Sequence, residues 1–193
     1  MSTGSTGTEF TIRRKVLSFL GAKFHIYDSN DKLIGFSKQK AFKLKEDIRL
    51  YTDESMDEER LIIQARKVID FSAAYDVVDS KKDKKIGALQ RKGLKSILRD
   101  EWIVLDGNDG EIGTIKEDST GMALVRRFLP LGKLIPQKFM LRDADGNELA
   151  LFRTHFNLFV HRMTVTVYPE STISPYLILA GGLLLVAIEG RNQ

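Results

Sequence analysis

Hydrophobic and polar residues alternate along much of this chain with the period of a β-strand. In Phe156–Tyr168, Met163, Val165 and Val167 fall on one face and Arg162, Thr164 and Thr166 on the other, the signature of a half-buried strand. A second pattern is written four times. Phe24-His-Ile-Tyr-Asp28 is followed by Leu33-Ile34-Gly35, and Tyr75-Asp-Val-Val-Asp79 by Lys85-Ile86-Gly87. Trp102-Ile-Val-Leu-Asp106 is followed by Glu111-Ile112-Gly113, and Phe139-Met-Leu-Arg-Asp143 by Glu148-Leu149-Ala150. Each copy has an aromatic residue, a short apolar run, an Asp, a polar turn, and an aliphatic residue before a small one. The Asp-to-small spacing is seven positions in three copies and eight in the second.

This pattern predicts four hairpins. Aromatic and β-branched residues favour strands, and the Asp, Asn and Gly of the turns supply positive φ or bond back to the main chain. The small residue after the aliphatic one predicts a bulge or a close approach to a neighbour. Asp143-Ala-Asp145-Gly-Asn147 also places calcium-ligand types at alternate positions. An EF-hand loop needs Gly at position six and Glu at position twelve, and those positions are Glu148 and Thr154, so a turn is favoured. Further strands are expected over Phe10–Phe19, Asp47–Thr52, Arg60–Phe71, Gly121–Phe128 and Phe156–Tyr168. The total is about a dozen. Ser55–Glu59 reads either as one helical turn or as an acidic loop.

The chain then changes character. Ser174 suits an N-cap, Pro175 the first helical position and Gly190 the residue after a helix. Between them runs Tyr176–Ile188, apolar all round. Such a helix is enclosed by protein or lies in a membrane. The 14 residues from Pro175 to Ile188 span roughly 21 Å, short of the ~20 residues that a ~30 Å hydrocarbon core requires. The length matches a barrel of eight-residue strands tilted near 40°, roughly 20 Å high. A buried helix is therefore favoured over a membrane tail. Gly181-Gly182 costs helix propensity, which close-pressing barrel walls would explain.

Composition narrows the chemistry. The chain has 193 residues, 42% hydrophobic and 29% charged, with no cysteine. That length allows one domain with a full core. The missing cysteines exclude disulfides, thiolate catalysis and cysteine metal sites. The net charge of +4 is mild, and basic blocks such as Arg13-Arg14-Lys15 sit among acids, unlike a nucleic-acid stripe. Residues 1–9 read as a disordered leader without the apolar core of a signal peptide. Residues 10–193 read as a single domain with its core helix at 174–189.

The repeated Asp-turn-Ile-Gly hairpins, above all Tyr75–Gly87 and Trp102–Gly113, followed by one C-terminal apolar helix, resemble the Tubby C-terminal-like superfamily. Within it the chain looks most like the LURP-one-related and phospholipid-scramblase-like proteins, over roughly residues 10 to 190. The resemblance implies a mainly β fold: a closed antiparallel barrel of about twelve strands around a central buried hydrophobic C-terminal helix. It also implies two functional themes, phosphoinositide binding by basic barrel-surface residues and calcium-dependent phospholipid scrambling. The scramblases' calcium segment corresponds to Val165–Ser174, where Glu170 is the single acid, and their palmitoylated cysteines have no counterpart. That puts the scramblase role in doubt.

No catalytic motif is present: no phosphate loop, nucleophile elbow or zinc helix. His25, His155 and His161 lack a third ligand at metal spacing. The expectation is a protein that is not an enzyme, with no cofactor and no metal. Candidate residues for anionic headgroups are Lys38, Lys40, Lys43 and Lys45, the hairpin-tip group Lys81, Lys82, Lys84 and Lys85, and then Arg91 and Lys92, with Lys95 and Arg99 beyond. Each such charge near an anionic membrane is worth about 1 kcal/mol, although a barrel's outer face must be polar in any case. The function expected is a monomeric, cytoplasmic, non-enzymatic binding module in peripheral contact with anionic phospholipid. The alternatives are a scramblase-like membrane protein using the terminal helix, or a protein-interaction domain. A nucleic-acid partner is not expected.

Overall fold

A computed structural model describes residues 7–15, 22–39, 47–66, 74–92, 101–118, 136–155 and 160–188. Lys40, Lys43, Lys45, Lys95, Arg99 and the expected strand Gly121–Phe128 lie outside the described residues. Among those described, twelve strands precede one helix. The strands are β1 (Thr8–Lys15), β2 (Ala22–Asp28), β3 (Leu33–Gln39), β4 (Ile48–Tyr51), β5 (Glu59–Ala65), β6 (Ala74–Asp79), β7 (Lys84–Arg91), β8 (Glu101–Leu105), β9 (Glu111–Glu117), β10 (Lys138–Arg142), β11 (Glu148–His155) and β12 (Val160–Val167). Each strand bonds to its neighbours in sequence, and β1 closes on β12 to complete the barrel. Thr8 and Glu9, at the end of the expected leader, belong to β1 and pair with Val167 and Thr166.

The four repeats fold alike. Asp28 Oδ1 accepts the N–H groups of Asn30 and Lys32 at 2.9 Å each. Asp79 Oδ1 accepts those of Lys81 and Lys82 at 3.0 and 3.2 Å. Asp106 Oδ1 accepts those of Asn108 and Gly110 at 2.8 Å each, and Asp143 Oδ1 accepts those of Asp145 and Asn147 at 3.0 and 2.8 Å. The repeated Asp is thus a turn cap. The turns reverse through left-handed residues at Asp31, Asp83, Asp109 and Gly146, with φ of 61°, 45°, 69° and 88°. The extra residue of the second copy moves its left-handed position one place along. The aliphatic residue is the bulge. Ile26 faces Gly35 while Tyr27 faces Leu33, leaving Ile34 unpaired. Ile86, Ile112 and Leu149 are the equivalent extra residues. The glycine beyond the bulge answers to close approach: a Cβ on Gly87 would stand 2.4 Å from the Leu105 carbonyl oxygen. Ser55–Glu58 is an acidic turn with Met56 at φ 60°, not a helix.

Helix α1 (Pro175–Ile188) fills the barrel. Every residue from Leu177 to Ile188 is buried. Ser174 starts the helix through its carbonyl, which accepts the N–H groups of Leu177 and Ile178 at 2.9 and 3.1 Å. The walls do press on the glycine pair. A Cβ on Gly182 would lie 2.8 Å from Ile12 Cδ1, and one on Gly181 would lie 3.0 Å from Ile115 Cδ1. At the other end Arg14 donates to the Val186 carbonyl at 3.3 Å, meeting one of the acceptors a helix leaves open and complementing its dipole. The barrel therefore has a turn end, where α1 begins, and a far end, where α1 stops.

Candidate functional site

The tight turn between β6 and β7 gathers Lys81, Lys82, Lys84 and Lys85 at the turn end, as expected. Most of these cations already have acids. Lys81 pairs with Glu58, and Lys82 lies 3.9 Å from Asp79. Lys85 reaches Asp109 at 2.7 Å and Asp76 at 3.2 Å. Arg66 joins the same two acids, 2.6 Å from Asp76 and in contact with Asp109. Burial disfavours the charge of Lys85, but its bonds to Asp109 and Asp76 outweigh that and raise its pKa. Lys85 and Arg66 hold the Asp109 carboxyl below the usual range. This is a neutral network of two cations and two anions. Lys84 is exposed without an ion pair among the described residues.

The remaining candidates stand elsewhere. Lys92 pairs with Glu101 at 2.8 Å. Arg91 is half-buried and shares strand parity with the buried Leu89, so it starts on the inner side of β7. Lys38 is exposed on β3. Lys38, Arg91 and Lys92 lie toward the far end, on strands well apart, so the described candidates do not form one surface.

A different basic surface emerges from the ladder. Lys138 on β10 faces Arg153 on β11. His155 on β11 faces Arg162 on β12, and Arg162 also faces Arg13 on β1. Lys23 on β2 faces Lys38 on β3. Like charges placed directly opposite destabilise a sheet. Lys23, Lys38, Lys138, Arg153 and Arg162 are exposed, and none has an ion pair among the described residues. Arg13 is committed elsewhere: it pairs with Asp31 at 2.5 Å and lies 4.3 Å from the centre of the Tyr27 ring. His155 Nε2 lies 2.9 Å from Thr164 Oγ1. Burial, then the charges of Arg162 and Arg153, push its pKa down, against a smaller opposing effect of Glu9.

Of the positions on this surface, sequence reasoning selected Lys38 alone as a headgroup site. It looked for runs of lysine, whereas ladder partners are distant in sequence: 138 with 153, 155 with 162, 13 with 162. The signal that could have found them is the sheet register, read from the four turn caps outward.

Other sites are less suited to a ligand. A depression of about 260 Å³ lies among Thr114, Lys116, Met140, Arg142 and the Asp143–Gly146 turn. Its cations are paired, Arg142 with Glu148 at 2.7 Å and Lys116 with Glu101 at 3.2 Å. His25 binds Glu54 at 3.1 Å, and His161 shares strand parity with the inward Met163, opposite to the outward His155. Among the described residues no three His, Asp or Glu side chains are grouped to hold a metal ion. No described helix is long and apolar enough to cross a membrane.

Comparison with known proteins bears on the fold. No family model and no curated protein matches the sequence. The X-ray structure of a protein from Arabidopsis thaliana superimposes with a TM-score of 0.52 at 15% identity, over 97% of this chain and 94% of that one. What the two chains share is the barrel. At that identity the likeness establishes a related fold and nothing about a ligand.

Proposed function

We propose that the chain is a Tubby-like barrel of the LURP-one-related kind, a cytoplasmic, non-enzymatic binding module that docks peripherally on anionic phospholipid surfaces. The observation that carries this reading is the set of unneutralised, like-charged ladder pairs on β10, β11, β12, β2 and β3. A fold gains nothing from such pairs, so a ligand outside the protein explains them best. Lys23, Lys38, Lys138, Arg153 and Arg162 all stand near strand ends at the far end of the barrel. Together they offer about 5 kcal/mol toward an anionic surface at about 1 kcal/mol each, reduced by salt within a Debye length of about 8 Å.

The rest of the molecule agrees with this orientation. Among the described residues the tight turns carry Asp53, Asp57, Asp83 and Asp145 without ion pairs, against Lys32 and Lys84, so the excess charge is negative and turns that end away. Helix α1 is enclosed from Leu177 to Ile188 and exposes its first residues, Pro175 and Tyr176, at the turn end, which supports placing membrane contact on the barrel's exterior at the far end. Co-sedimentation with neutral and acidic vesicles tests the reading. Binding to acidic vesicles alone, weakened by salt, is the expected result. Equal and negligible binding to both overturns it.

A further inference from the structure

On β11 and β12 the basic face narrows to one cluster. Arg162 stands opposite His155, and Arg153 stands opposite both Thr164 and Lys138. Arg153 and Arg162 are thus diagonal neighbours, about 7–8 Å apart at the strand level, with His155 and Thr164 completing the square. Both guanidinium groups can reach one tetrahedral anion set over the imidazole. Of the acids nearby, Asp118, just past β9, bonds through its N–H to the Lys138 carbonyl and turns its carboxylate toward Arg142, 3.6 Å away. Glu9 is the only one that weighs on His155 among the described groups, and it receives a bond from Thr166 Oγ1 at 3.3 Å. Arg13, on the neighbouring strand, is turned to Asp31.

We propose that Arg153, Arg162, His155 and Lys138 form a subsite for a single phosphomonoester group, so that the face recognises a phosphate of that kind rather than negative charge in general. The inference rests on the docking face proposed above and gives it a chemical preference. Guanidinium forks match phosphate oxygens in bidentate geometry, and a phosphomonoester carries close to two charges at neutral pH where a diester carries one. Proton uptake follows from the same arrangement. Burial and the two arginines disfavour the imidazolium of His155. A dianion against those arginines cancels their repulsion, so binding raises the pKa of His155 and takes up a proton. Affinity for a dianion that does not itself titrate, such as sulfate, therefore rises as pH falls through the range in which histidine titrates, whereas a phosphomonoester takes up its own second proton at pH about 6.

The test uses the full chain. Vesicles of phosphatidylcholine containing phosphatidic acid, a monoester, are compared with vesicles matched in charge by phosphatidylserine, a diester. Sulfate and inorganic phosphate are titrated separately by calorimetry in two buffers of different ionisation enthalpy. Sulfate remains a dianion throughout, so its pH dependence reports the protein. The expected results are a preference of about tenfold for phosphatidic acid, worth one decade of affinity, and proton uptake with sulfate. Arg162→Lys, which keeps the charge and loses the fork, should remove the preference. His155→Gln should weaken sulfate binding most at the acid end and leave a flat pH profile without proton uptake. Binding of free phosphate and sulfate without binding to either vesicle supports the subsite and removes the membrane reading. Equal binding to both acidic vesicles, with a pH profile unchanged by His155→Gln, overturns the subsite and leaves the docking face standing. No binding in any arm overturns both.

Discussion

Alternate residues of β1 and β12 build two unlike surfaces. Inward, Ile12, Met163 and Val165 are fully buried, and Ile12 and Val165 press on Gly182 of α1. Outward, one position away, Arg13 faces Arg162. The inner surface is continuous: every strand but β3, which turns Gly35 and Ser37 inward, adds apolar residues to one shell around the helix. The outer surface is divided. On β5 to β8 and their turns, cations and acids meet in networks such as Arg66–Asp76–Lys85–Asp109. On β10 to β3, passing through the closure, cations face cations. The inside is governed by volume and the outside by ladder partner, so substitutions in the two places should fail in different ways.

The largest expected effect is on the inside. Removing everything after Ile173 deletes the plug and leaves apolar walls facing a void. Near-UV circular dichroism should be lost and a hydrophobic dye should bind, as in states without fixed packing. A truncated chain that keeps its near-UV spectrum contradicts the plug. Next come the close approaches. Gly182→Leu forces a side chain into space held by Ile12 and Val165 and should cost about 1–3 kcal/mol or more in denaturant melts. Gly87→Ala meets backbone at 2.4 Å and should cost a comparable amount. Ala150 holds the equivalent position in the fourth repeat, so Ala150→Gly should cost less than Gly87→Ala.

Acid should loosen the outer networks before it touches the core. The Arg66 and Lys85 partners hold Asp76 and Asp109 below their ordinary pKa, and Asn147 with main-chain N–H groups does so for Asp143. A carboxyl with a lowered folded pKa contributes stability above its unfolded value of about 3.9 and loses it as pH falls through the folded value. The melting temperature should therefore stay level through mildly acidic pH and fall below about pH 4. The triple variant Asp76→Asn, Asp109→Asn, Asp143→Asn should start lower and flatten that decline. The smallest effect has the opposite sign. Lys38→Glu converts a repulsive ladder pair with Lys23 into an attractive one and should stabilise the fold by up to about 1 kcal/mol while weakening binding to acidic vesicles.

These contrasts also explain what could be read from the chain directly. Periodicity is a property of single segments, so the strands among the described residues, the four hairpins and the helix bounds Pro175–Ile188 were legible. So was the reason for Gly181-Gly182, because a helix apolar all round must be touched on every side. Charge pairing is not a segmental property. Lys81 looked available because Glu58 is distant in sequence, and Lys85 because Asp109 belongs to another hairpin. Arg162 was legible as an outward residue but not as a binding position, because its partners His155 and Arg13 come from two other strands, one of them at the opposite end of the chain.

The central claim is that unpaired ladder cations, not lysine-rich turns, carry the docking. Its most direct measurement is salt-dependent binding to acidic vesicles by two double variants that remove equal charge. Arg153→Gln with Arg162→Gln should abolish most of the binding, whereas Lys81→Gln with Lys82→Gln should leave it close to that of the unaltered chain. Equal losses from both variants, or a larger loss from the lysine pair, would contradict the claim.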